Sequence, residues 1–378
     1  MENQKARAVL NLEGDILDLT ESLIAISSVS HNEEQLANAI ETALKDYKHL
    51  KVERFGNSIV ASTNFNRAER VILAGHIDTV PSSGNDSPTR ILKGQTPPVR
   101  DNNQSLEVSE DRLYGLGSCD MKGGLAVGLK LAATLQNSNR DVTFMFYEAE
   151  EVESIHNGLY KIAQQQPELF SADFAVLLEP SNAQIEAGCQ GTLRFNIALC
   201  GLRAHTARAW MGDNAIHKAA EVLTILASYV PDVVDVDGLK YREGLQCIGI
   251  SGGVAGNVVP DESLISINYR YAPTTSPAQA VLRMEQLFAG YEIEVVDNAG
   301  GALPGLTQSA AKAFIEVSGK SVQPKFGWTD VARMAEFSIP AVNFGPGDPS
   351  LAHAPNEYVV IEHLYECERV LTSWLTSS

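Results

Sequence analysis

The chain has little positive charge: 29 Lys and Arg stand against 47 Asp and Glu, a formal net charge of −18. Nucleic-acid and anionic-membrane partners need a basic footprint, so neither is expected. Long apolar runs are missing too. No stretch approaches the roughly 18 apolar residues of a membrane span, and Met1-Glu2-Asn3-Gln4-Lys5 is followed by no signal-like segment. Cysteine is sparse and scattered: Cys119, Cys189, Cys200, Cys247 and Cys367 form no Cys-x-x-Cys pair. That excludes a disulfide framework and a cysteine-type zinc site, and points to a reducing cytoplasm. What is present is ordinary globular material. With 44% hydrophobic residues over 378 positions, the chain can bury a large core, and its length suggests more than one domain.

Periodicity sets the fold class. Leu10, Leu12, Ile16, Leu17, Leu19, Leu23 and Ile24 suit an amphipathic helix, and a second helix is expected over 33–44 after a turn at Ser30. Short apolar runs follow at 71–74, 142–146, 174–178 and 341–344, with helical patterns between them, as at 124–135 and 158–165. Strands alternating with helices predict an α/β sheet with many parallel strands. The stretch 82–108, rich in Ser, Pro, Asn, Gly and Gln, reads as a long surface excursion. From about 191 to 296 the texture changes to strand 193–199, helix 214–228, strands 245–250 and 264–270, helix 277–288 and strand 291–296. This β-α-β-β-α-β order predicts a ferredoxin-like α+β unit inserted into the first domain. The expected domains are therefore 1–190 with 297–378, and 191–296.

The chemistry lies where the apolar runs end. His76 and Asp78 follow the first run, Glu150 and Glu151 the second and Glu179 the third. His353 comes shortly after the fourth, and Asp120 sits in the glycine-rich loop 115–120. Open α/β sheets bind ligands at the carboxyl ends of their strands. His76, Asp120, Glu151, Glu179 and His353 form a nitrogen- and oxygen-rich donor set suited to zinc, cobalt or manganese. Five donors exceed the usual three of a single catalytic zinc and suffice for two metals sharing a carboxylate. Three carboxylates against two dications leave a positive balance that lowers the pKa of a bound water. Asp78, two residues from His76 in an extended segment, can accept the imidazole's other N–H. Glu150, beside a ligand, is placed to move a proton. Singly, each piece has an ordinary explanation, such as a capping pair, a solvated helix start or a loop acid. The joint placement at strand ends is what favours a metal site. The segment 115–124 has no phosphate-loop pattern.

Gly75-His76-Ile77-Asp78-Thr79-Val80-Pro81, Gly117-Ser118-Cys119-Asp120-Met121-Lys122-Gly123-Gly124, Glu150-Glu151, Leu178-Glu179-Pro180 and the late His353 resemble the M20 metallopeptidase family along nearly the whole chain. The resemblance implies a mixed-sheet catalytic domain with helices on both faces, plus a ferredoxin-like lid and dimerisation domain. Asp120 would bridge two divalent metal ions, zinc first and cobalt second. His76 and Glu179 would hold one, and Glu151 and His353 the other. Glu150 would be general base and acid, and the Asp120-Met121 peptide would be cis. His205 would polarise the scissile carbonyl in a partner's site across a homodimer, an oxyanion-type role. Asn257, Arg270 and Thr329 would contact substrate, the guanidinium of Arg270 suiting a carboxylate.

The implied reaction is hydrolysis of the amide of a small-molecule N-acyl amino acid. The first candidate is N-succinyl-LL-2,6-diaminopimelate; acetylornithine, peptides or a non-catalytic binding role are the alternatives. One departure concerns charge. Gly188-Cys189-Gln190-Gly191-Thr192 stands where many desuccinylases carry an arginine pair, leaving Arg194 or Arg208 to replace it.

Overall fold

A computed structural model describes residues 9–98 and 107–377, which divide into two compact units. The first comprises the chain up to Ala187, Gly305–Gln323 and the chain from Arg333 on. Its 8-stranded sheet runs in the order Lys51–Phe55, Ser58–Ser62, Asp141–Tyr147, Arg70–His76, Phe174–Leu177, Ala341–Asn343, Ile185–Ala187, Val322–Pro324. The adjacent strands Asp141–Tyr147, Arg70–His76, Phe174–Leu177 and Ala341–Asn343 are mutually parallel, whereas Ser58–Ser62 and Ile185–Ala187 join antiparallel. The sheet is therefore mixed. Every residue of Asp141–Tyr147 is buried. Successive side chains point to opposite faces, so both faces are covered, as parallel strands require.

Helices Ile16–Ile24, Glu34–Leu44, Lys122–Thr134, Gly158–Gln165, Ser309–Ser318 and Ile361–Thr376 belong to this unit. Leu10 and Leu12 are buried, but the first helix starts only at Ile16, where Asp15 caps the Leu17 N–H at 2.9 Å. The last helix is locked by aromatics: Trp374 meets Phe174 and Phe314 with ring centroids 5.9 and 4.9 Å apart. The excursion is more structured than its composition suggested. Thr89–Ile91 pairs antiparallel with Arg112–Tyr114, which pairs with Tyr358–Val360. Part of the stretch 82–108 lies outside the described residues.

The second unit comprises Gly188–Pro304 and Pro324–Ala332. Its sheet order is Gly244–Gly252, Glu262–Tyr271, Gly191–Cys200, Glu294–Ala299, with every neighbour antiparallel. With helices Ala215–Ser228 and Pro277–Leu287, this is the ferredoxin-like arrangement. Burial alternates strictly along Gly191–Cys200, so one face carries the core, in which Phe195, Ile197, Ile265, Ile267 and Met284 are buried. A hairpin of Val233–Val236 and Leu239–Arg242 turns on Asp237 and Gly238, both at positive φ (53° and 81°). This is the two-residue Asp-Gly turn that suits strand twist.

The expected seams were 190/191 and 296/297; the units meet at 187/188 and 304/305. The reason is local pairing. Asp297, Asn298 and Ala299 pair with Arg194, Leu193 and Thr192, and Cys189 bridges Ala302. Trp328 Nε1 donates to the Gly300 carbonyl at 3.0 Å, which keeps 324–332 with the second unit.

Candidate metal centre and active site

The strand ends carry the candidate residues. His76 is the last residue of Arg70–His76; Glu150 and Glu151 follow Asp141–Tyr147; Glu179 follows Phe174–Leu177; His353 follows Ala341–Asn343. Close backbone packing makes this possible. A Cβ at Gly124 or at Gly345 would overlap the Leu178 carbonyl oxygen. Only glycine there lets the helix after Asp120 and the turn before His353 both approach the Leu178-Glu179 peptide.

His76, Asp120 and Glu151 each bring a donor atom within 4.8 Å of the others. His76 Nε2 lies 3.1 Å from Asp120 Oδ1, and His353 Nε2 lies 3.6 Å from Asp120 Oδ2 and 2.8 Å from Glu151 Oε1. Asp120 thus stands between the histidines, one oxygen toward each. The Asp120-Met121 peptide is cis, and Met121 Sδ accepts the His76 backbone N–H at 3.3 Å. His76 is buried, with Nδ1 3.0 Å from the Asp78 carbonyl oxygen and 3.4 Å from its carboxylate Oδ1. The backbone carbonyl, more than the expected carboxylate, is the near partner of that nitrogen.

The surrounding carboxylates favour positive charge on the histidines. Burial alone would lower the His76 pKa, yet Asp120, Asp78 and Glu179 raise it well above its ordinary value. His353 is likewise raised, chiefly by its hydrogen bond to Glu151. Burial pushes Asp78 up, but His76 and the N–H groups of Glu150 and Glu151 outweigh it and hold the carboxyl at about 2. Carboxylates clustered on the buried His76 and the half-exposed His353 form a set that fits divalent cations.

Two residues at the centre have left-handed backbone without being glycine: Ala149 (φ 56°), just before Glu150, and His353 (φ 64°). Such outliers cluster where surrounding structure enforces a functional geometry. Asp78 supplies the enforcement for the first, since its carboxylate accepts the N–H groups of both Glu150 and Glu151.

The remaining expected residues lie in the second unit. His205 is exposed on Ala204–His205, which pairs with Val258–Val259, and Thr206 N–H donates to the Asn257 carbonyl at 3.0 Å, so His205 and Asn257 are neighbours. Nδ1 of His205 accepts the Ala207 N–H at 3.0 Å. In the neutral ring the proton then sits on Nε2, a donor. Arg270 is half-buried on Glu262–Tyr271; burial first, then Arg194, lowers its pKa. Arg194 opposes Asn268, which makes it the diagonal neighbour of Arg270, and it pairs with Asp297 at 3.2 Å. Arg208 lies in the exposed segment Thr206–Met211. Thr329 is buried and accepts the Ala332 N–H at 3.0 Å.

Sequence reasoning missed Ser30, whose hydroxyl donates to Asp78 Oδ2 at 2.8 Å. It also missed Glu357, a buried acid whose carboxylate receives the Cys119 and Asp120 backbone N–H groups. Burial raises Glu357 to about 7, with those N–H groups opposing the rise.

Residues 72–377 match the peptidase family M20/M25/M40. The chain belongs to this family. It is 46% identical over 370 residues to the putative succinyl-diaminopimelate desuccinylase DapE of Mycobacterium tuberculosis, covering 97% of this chain and 99% of that protein. It is 42% identical over 385 residues to the succinyl-diaminopimelate desuccinylase of Corynebacterium glutamicum, covering 99% and 100%. Among solved structures, a tripeptidase from Staphylococcus aureus superposes with TM-score 0.74 at 20% identity, covering 97% and 98% of the two chains, a likeness of fold. As an M20-family hydrolase, the protein carries at its strand ends the acid and histidine cluster of a metal-dependent amidohydrolase.

Proposed function

We propose that the protein hydrolyses the amide of N-succinyl-LL-2,6-diaminopimelate, releasing succinate and LL-2,6-diaminopimelate for lysine and cell-wall synthesis. What carries the substrate is the 46% identity, over nearly full length, to a protein named for that reaction. What supports the chemistry is the convergence of His76, Asp120, Glu151 and His353.

Two divalent cations, zinc first and cobalt second, held by His76 and Glu179, by Glu151 and His353, and by Asp120 between them, would polarise the carbonyl and make water nucleophilic at neutral pH. The chain's own groups do the rest. Glu150 takes a proton from the attacking water and delivers it to the departing nitrogen. Asp78 fixes the His76 ring and the Glu150-Glu151 backbone together. Nε2–H of the partner's His205 donates to the oxyanion, the tautomer being set by the Ala207 N–H on Nδ1. Arg270, Asn257 and Thr329 orient the substrate, and Arg194 beside Arg270 restores positive charge for the succinyl carboxylate.

A homodimer through the second unit has support in its surface. Ile248 and Ile250 are exposed on Gly244–Gly252, an edge strand of the sheet. Such an edge invites pairing with another copy. All five cysteines are free thiols, which agrees with a cytoplasmic location.

The test is a substrate panel with purified protein and added zinc. N-succinyl-LL-2,6-diaminopimelate is expected to be consumed far faster than acetylornithine or dipeptides. Consumption of acetylornithine with the succinyl compound untouched would reverse the assignment.

A further inference from the structure

We propose that Glu357 is a positioning residue that holds the Asp120 loop and the His353 turn in register, so that cation affinity depends on it although it lies off the donor set. The proposal rests on the metal reading above.

Consider the loop that presents Asp120. Gly115 (φ 151°) and Gly117 (φ 76°) let it curl so that several backbone N–H groups face one point. Such a concavity binds an anion. The anion is the Glu357 carboxylate: Oε1 accepts the N–H groups of Cys119 at 2.9 Å and Asp120 at 3.1 Å, and Oε2 accepts that of Gly117 at 3.0 Å. Glu357 is 2% exposed, so these bonds form away from water, where hydrogen bonds are stronger than at the surface.

The same residue is tied by its backbone. Its N–H donates to the Ala354 carbonyl at 3.0 Å, closing the turn 354–357 that directly follows His353, and its carbonyl accepts the Gly115 N–H at 3.2 Å. Tyr358, next in sequence, pairs with Tyr114. One residue therefore grips the Asp120 loop by side chain and by backbone, while its own turn shares Ala354 with the preceding turn, 351–354, that carries His353. The 3.6 Å between His353 Nε2 and Asp120 Oδ2 is set across it.

An uncharged replacement fails for a definite reason. A carboxylate offers acceptors on both oxygens; the amide introduced by Glu357→Gln offers one oxygen and turns an NH₂ toward an N–H. The Asp120 backbone must shift, and its carboxylate with it.

The experiment uses full-length protein freed of metal by chelator dialysis, then titrated with Co²⁺ by calorimetry and visible absorption. Wild type is expected to bind two ions. Glu357→Gln is expected to bind Co²⁺ roughly 10–100-fold more weakly, with an altered cobalt spectrum. Its turnover should rise toward wild type as Co²⁺ is raised, with KM little changed. Glu357→Asp keeps both carboxyl oxygens on a shorter arm, is the fallback if the amide variant does not fold, and is expected to lose less affinity. Wild-type Co²⁺ affinity and spectrum in whichever variant folds would overturn the positioning role. Failure of wild type itself to bind Co²⁺ would instead overturn the metal reading.

Discussion

Asp78 Oδ1 accepts the backbone N–H of Glu150 at 3.0 Å, so the residue that supports the His76 ring also holds the proposed proton carrier in place. Its second oxygen takes the Glu151 N–H at 3.1 Å and the Ser30 hydroxyl at 2.8 Å. An amide at this position would turn a donor toward one of these donors. Asp78→Asn should therefore lower kcat about 10–100-fold and weaken metal retention, as loss of a supporting carboxylate typically does. Steady-state kinetics and metal content after gel filtration check this. Unchanged kcat would mean that the Glu150-Glu151 turn keeps its shape without Asp78.

Glu150 itself is separable from the donor cluster. Among the described residues, those grouped within ligating distance of one another are His76, Asp120 and Glu151, with His353 on Asp120 and Glu151. Glu150→Ala should keep the wild-type metal stoichiometry and lose on the order of 10²–10⁴ in kcat, the usual worth of a positioned acid–base group. Loss of metal in that variant would make Glu150 a ligand instead.

Removal of metal should abolish turnover, and addition of zinc or cobalt should restore it. His353 is the most exposed donor, with half its side chain accessible, and it reaches Asp120 and Glu151 from a left-handed turn. His353→Ala is expected to retain about one ion per chain where wild type retains two. Two tightly held ions in that variant would remove His353 from the set.

Much of this centre was legible because parallel strands announce themselves. A buried strand is a short, continuous apolar run, and the first polar residue beyond it falls at the sheet's carboxyl edge. His76, Glu150, Glu151 and Glu179 were readable in that way, and the strand expected at 193–199 lies within Gly191–Cys200. Ser30 and Glu357 were not readable. Each acts through hydrogen bonds to residues far off in sequence, Asp78 and the Asp120 loop, and a lone Ser or Glu in a loop carries no local mark of that. Thr89–Ile91 was hidden because it pairs at the rim rather than in a core. The hairpin at Asp237-Gly238 was overlooked although its turn signal was present.

Substrate anchoring makes a separate demand on the second unit. Arg270 is half-buried and diagonal to Arg194, so two positive charges share one sheet face, and Asp297 offsets the more exposed of them. A guanidinium that holds a substrate carboxylate contributes about 1.5–3 kcal/mol, a change of roughly 10–150-fold. Arg270→Ala should raise KM for the succinyl substrate by on the order of 10–100-fold while kcat falls less. Arg270→Lys should recover only part, because a lysine cannot make the bidentate contact. Equal KM values in all three proteins would exclude Arg270 from substrate binding.

One contribution to acid stability lies at the other end of the central strand. Asp141 opens Asp141–Tyr147 and is buried; its oxygens accept the N–H groups of Phe65 at 2.6 Å and Arg67 at 2.9 Å, and the Thr63 hydroxyl at 3.2 Å. Burial alone would raise its pKa, but these bonds and the charge of Arg70 lower it below the ordinary value. A carboxyl whose folded pKa is depressed stabilises the fold fully above its unfolded pKa, near 4, and the contribution disappears as pH falls through the folded value. Asp141→Asn should thus cost about 1–3 kcal/mol at pH 7 and reduce the loss of stability between about pH 5 and pH 2. Urea unfolding at a series of pH values measures both effects. Because Asp141 lies at the strand end opposite His76, kcat of the folded variant at pH 7 should equal that of wild type. A variant as acid-sensitive as wild type would assign the acid transition to other carboxylates.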